Sequence, residues 1–149
     1  MVDSKDVAAE RSHEDAKAAN ALFQAAGQAI ILINGGASTA ILAFAAADKG
    51  VIRITAGALA LSLVFFGVGV LTGALAIAFH GESVHQYMMH WEFHALGRTA
   101  DEIKTPLKRG DHWGRAARWA FLISAASFMV GAGVLAFSLG TFKPSTEVL

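Results

Sequence analysis

The chain has 149 residues, no cysteine and no net charge; 54% of its residues are hydrophobic and only 16% charged, against about 25% charged in soluble domains. That composition excludes a disordered chain, a soluble enzyme and a nucleic-acid binder, and without cysteine there is no disulfide, thiolate metal site or thiol nucleophile. The charge deficit is local. Residues 18–47, 54–79 and 119–142 contain no Asp, Glu, Lys or Arg, and each run outlasts the ~20 residues that cross a hydrocarbon core. The predicted fold is an all-α integral membrane protein with three transmembrane helices, at about 22–47, 54–79 and 119–141, forming one membrane domain.

In chain order, residues 1–20 read as a polar N-terminal arm carrying Lys5, Arg11 and Lys17. The apolar run begins only near Leu22 and is too long for a secretory signal, so it reads as a retained first span. Ser12 and Asp15 fit a capping box, with a helix starting near His13. Asp48-Lys49-Gly50 forms a tight polar turn that makes the first two spans an antiparallel hairpin. Residues 80–118 read as an amphipathic connection punctuated by Gly97, Pro106 and Gly110, with Asp111 as N-cap of the third helix. Residues 142–149, containing Pro144, form the tail.

Basic residues set the orientation, because Lys and Arg resist translocation. Three spans put the arm and the 80–118 connection on one side, with nine Lys and Arg, against three on the other side (Lys49, Arg53 and Lys143). The expected N-terminus is cytoplasmic and the tail external, in the inner membrane if the cell is bacterial.

The first span is two-faced. Gln24, Gly27, Gln28, Asn34, Gly35, Ser38 and Thr39 gather on one side, opposite Leu22, Phe23, Ile30, Ile33, Ile41 and Phe44. Small residues and amides on one face are the usual glue between membrane helices. The polar face is therefore read as a packing or oligomer face rather than a conduit, since no ionisable group accompanies Asn34. Gly69 and Gly73 form a close-approach motif on the second span. Ser124, Ser127, Gly131 and Ser138 form a small stripe on the third. Three small-residue faces on three spans favour a homo-oligomer or contact with other membrane subunits.

Five of six histidines fall between His80 and His112. His90 and His94, spaced i, i+4, could grip one metal ion from one helical face; a haem needs an axial histidine facing a dry cavity, and of the candidates His80, His85, His90 and His94 only His80 borders the hydrocarbon. Against this, no His-Glu-x-x-His motif is present, and Tyr87, Trp91 and Phe93 mix with the histidines as they do at headgroup level. Residues 80–96 are read as a helix lying on or leaving the cytoplasmic interface, with Gly81 letting the chain bend from the bilayer normal and no tightly bound cofactor. Lys104, Lys108, Arg109, Arg115 and Arg118, with Trp113 and Trp119, form a basic aromatic collar facing lipid or a partner, where anionic lipid attracts each cation by about 1 kcal/mol. No nucleophile–base pair, phosphate loop or carboxylate pair is present. The functional expectation is a non-enzymatic membrane subunit, a scaffold or accessory component of an oligomer. The alternatives are a pore lined by Gln28, Asn34 and Ser38, and a haem- or metal-binding redox subunit.

Overall fold

A computed structural model describes residues 4–46 and 55–140, with side chains described from Lys17 onward except at Ala95 and Gly140. The turn at residues 48–50, Arg53 and the 142–149 tail lie outside the described residues. The described residues form three α-helices: α1 (Ser4–Ala46), α2 (Ala56–Ala95) and α3 (Ala100–Gly140). Each contains a stretch long and apolar enough to cross a membrane.

The helices are longer than their spans. α2 has 40 residues and α3 has 41, about 60 Å each at 1.5 Å per residue, or twice a ~30 Å hydrocarbon core. The separate amphipathic connection expected over 80–118 does not exist as such. Residues 80–95 continue α2 straight through Gly81, and residues 100–118 are the first half of α3. Asp111 therefore lies in mid-helix rather than at an N-cap, and α3 passes through Pro106, which is buried against the seam. In α1 the helix starts at Ser4, so Ser12 lies inside it and not at its cap.

Local chemistry accounts for the turn between α2 and α3. Leu96 caps α2, and Gly97 follows with φ of 65°, a conformation glycine adopts without a Cβ penalty. Gly97 N–H donates to His94 O and Arg98 N–H to Phe93 O, at 3.2 and 3.1 Å, which is the Schellman closure. Thr99 then caps α3. Its hydroxyl accepts from Glu102 N–H, while Glu102 Oε2 accepts from Thr99 N–H at 2.9 Å, forming a reciprocal capping box. Between the two caps there is no slack for a loop.

What holds α2 to α3 is a seven-residue repeat, small at every position except the His90–Ile103 pair nearest the turn. Ser62, Gly69, Ala76, Ser83 and His90 recur along α2, and Ile103, Gly110, Ala117, Ser124 and Gly131 along α3. Their cross-helix bonds keep one antiparallel register from end to end. Ser62 Oγ donates to Gly131 O at 3.0 Å, Ser124 Oγ to Gly69 O, and Ser83 Oγ to Gly110 O at 2.8 Å. His90 Nδ1 meets Ile103 O at 2.8 Å beside the turn. Ala76 and Ala117 are fully buried in the middle. A strict heptad keeps a helix seam facing its partner along its whole length, so the pair stays closed beyond the apolar segment.

α1 packs against α2 and barely touches α3. Its own heptad, Asn20, Gly27 and Asn34, faces α2. Gly27 lies under Ile77, and Gly73 lies under Ile31. Asn34, fully buried, sets its amide where a Gly69 Cβ would stand. Nδ2 donates to Ile30 O at 2.9 Å, and Oδ1 has no conventional partner. That oxygen faces a glycine Cα–H, a contact that recurs where helices approach closely.

Candidate functional site

Where the apolar runs end, the bundle opens into a polar cleft of about 510 Å³ lined by Phe23 of α1, by His80, Ser83 and Tyr87 of α2, and by Asp111, Gly114, Arg115 and Arg118 of α3. It exists because α1 leans on α2 and leaves a gap toward α3 at this level. One wall is aromatic: the His80 ring stacks on Phe23 with centroids 4.0 Å apart, and Phe23 touches Phe121 at 5.9 Å. His80 Nε2 is tied to Asn20 Oδ1 at 2.9 Å, which fixes the imidazole. Opposite, the Tyr87 ring packs on the bare backbone of Gly110, and its hydroxyl donates to Asp111 Oδ1 at 2.6 Å. That bond, with burial, raises the Tyr87 phenol above 10.0, so it stays a neutral donor. Arg115 and Arg118, both exposed, stand at the mouth.

A second cleft of about 490 Å³ lies on the other flank, lined by Glu82, Gln86, Lys108, Arg109, His112 and Trp113. There Gln86 donates to Glu82 at 2.8 Å, and Trp113 packs on Phe79 at 5.3 Å. A third, mostly apolar cleft of about 500 Å³ lies at the far end of the α2–α3 pair, between Leu61 and Phe137.

The residues expected from sequence fall in distinct places. Asn34, Gly69, Gly73, Ser127 and Gly131 are buried within the chain, so their faces pack the three helices on one another. Gly35 is half-buried against Val70, and Ser38 donates to its own helix at Asn34 O, 3.1 Å away. Gln28, by contrast, is exposed and does not share Asn34's contact. Of the histidines with described side chains, only His80 enters the cleft. His85 is exposed on the outside of α2, His90 is bonded to Ile103 O, and the Trp91 indole lies against both His90 and His94. Among the described residues, no three His, Asp or Glu side chains are grouped to hold a metal ion.

Phe23 and Asp111, expected on the apolar face of the first span and at an N-cap, line the cleft too, and Asn20, Ser83 and Gly114 complete it without being singled out by the sequence reading. The signal that could have found most of them is the heptad, which puts Ser83 opposite Gly110 and Asn20 one repeat above Gly27. No protein-family model matches this chain, and no curated protein or solved structure shows significant similarity to it.

Proposed function

We propose that the chain is a non-enzymatic membrane subunit whose α2–α3 hairpin serves as a rigid cytoplasmic post for a partner, with its N-terminus also cytoplasmic. The observation that carries this reading is the seam: the Ser–Gly register continues past the apolar runs to the turn at Gly97. From Phe79, at the end of the uncharged run, to Trp91 the helix climbs about 18 Å, more than the ~5–8 Å depth of one headgroup layer. An upright hairpin therefore holds Met88, Trp91 and Leu96, each roughly two-thirds exposed, in water beyond the lipid. Exposed aromatic and Met side chains in water are the residues enriched at interfaces. The nine-to-three distribution of basic residues supports the cytoplasmic side.

The pore alternative finds less support, because Asn34 is closed on Gly69 while Gln28 points elsewhere. A photo-crosslinking residue at Trp91, in native membranes, tests the docking role. It should capture a discrete protein adduct, a second protomer or another subunit, that the same group at lipid-facing Val64 does not. Identical products at both positions, or lipid adducts alone, contradict it.

A further inference from the structure

We propose that the three-helix cleft at His80, Tyr87, Arg115 and Arg118 binds the phosphate of an anionic phospholipid, with the acyl chains running down past Phe23. The proposal rests on the membrane placement of the spans, and not on the docking role of the hairpin tip. Four observations converge. Arg118 is the last charged residue before the uncharged run of α3, and Arg115 lies one turn above it on the same side, so both guanidiniums stand at headgroup height. Among the described residues the cleft has one carboxylate, Asp111, already engaged by Tyr87, beside the two guanidiniums of Arg115 and Arg118. Its volume, about 510 Å³, is that of clefts that bury small ligands. Its membrane-side wall is the Phe23–Phe121 contact, an apolar surface that suits an acyl chain and offers nothing to a free phosphate. Arg forks match phosphate oxygens in pairs, and the fixed His80–Asn20 pair keeps the entrance between α1 and α3 in shape.

The test is native mass spectrometry of the full chain in mild detergent, titrated with short-chain phosphatidylglycerol, phosphatidylcholine of the same chain length, and chain-free glycerol phosphate. Arg115→Gln plus Arg118→Gln should weaken phosphatidylglycerol adducts about a hundredfold, each lost charge-assisted hydrogen bond to the phosphate counting about tenfold. Lys108→Gln plus Arg109→Gln, an equal charge change on the opposite flank, should leave them within about twofold, and glycerol phosphate should not compete. Circular dichroism confirms that both exposed double variants keep their helices. Equal loss in both double variants would mean diffuse charge attraction and overturn the site. So would phosphatidylcholine binding as tightly with no dependence on the arginines, or displacement of the lipid by equimolar glycerol phosphate. Failure of the Trp91 crosslink would leave this result untouched, so the two readings fail separately.

Discussion

Gly69 offers the sharpest test of how the spans are packed. A Cβ at Gly69 would overlap the Asn34 side-chain oxygen and carbon and come within 2.8 Å of its nitrogen, whereas a Cβ at Gly67, half a turn away, meets nothing within 4 Å. Asn34 cannot simply swing aside: it is fully buried, and its Nδ2 is bonded to Ile30 O. Gly67→Ala should be neutral or stabilising by up to about 1 kcal/mol, the helix-propensity gain over glycine. Gly69→Ala carries the same gain but forces an overpacked contact costing about 1–3 kcal/mol. The two alanines should therefore differ by about 2 kcal/mol. In an Asn34→Ala background the Gly69→Ala penalty should shrink, because the clash partner is gone, and the cycle isolates that coupling. Unfolding in detergent followed by circular dichroism, or steric trapping in bicelles, reads the difference. Equal effects at 67 and 69, or a Gly69→Ala cost undiminished without Asn34, would refute the packing described here.

The seam and the turn make further predictions. Gly97→Ala should destabilise the hairpin by about 1–2 kcal/mol, because the left-handed conformation there penalises a Cβ, whereas Gly81→Ala, where a Cβ meets open space, should not; thermal melts compare them. Ser83→Ala and Ser124→Ala each remove one cross-helix hydroxyl bond, and the intramembrane Ser124 bond should be worth about 0.6 kcal/mol, a value double-mutant cycles can test. Glu102 is held below the ordinary 4.5 by its bonds from Thr99. A lowered folded pKa stabilises at pH above the unfolded value and loses that contribution as pH falls through the folded one. The protection factor of the Thr99 amide should therefore fall as pH drops below the ordinary carboxylate value, and Glu102→Gln should abolish that pH step.

Much of the membrane part is legible in the sequence because one property decides it. Runs without charge, longer than the bilayer is thick, form three apolar helices, and the small faces around Asn34, Gly69 and Gly131 pack as helix contacts. The hairpin beyond the uncharged runs is less legible because its logic is a repeat and not a composition. Ser83, Gly110 and Gly114 look like ordinary polar and breaker residues in a charged stretch, and Gly110 in particular reads as punctuation. In the fold it is the flat surface that lets Tyr87 and Ser83 close on α3. The same holds for Leu-Gly-Arg-Thr at 96–99: one glycine reads as a break in a long connection, yet with Thr99 and Glu102 it is a complete stop and start for two helices. Gln28 shows the opposite error. A helical wheel put it beside Asn34, but α2 crosses α1 along Asn20, Gly27 and Asn34 and leaves Gln28 outside, a choice only the partner helix makes.

Cysteine accessibility tests most directly whether α2 and α3 leave the membrane as one upright, closed hairpin, as proposed. The chain has no cysteine of its own, so single cysteines at Leu61, Val68, Leu75, His85, Met88 and Trp91, all exposed on the surface of α2, report their surroundings without background. With a membrane-impermeant maleimide applied to inverted vesicles, Val68 and Leu75 should stay protected while His85, Met88 and Trp91 react fully. Protection of Met88 and Trp91 to the same degree as Leu75 would mean that the segment lies in the lipid surface, and would contradict the upright hairpin.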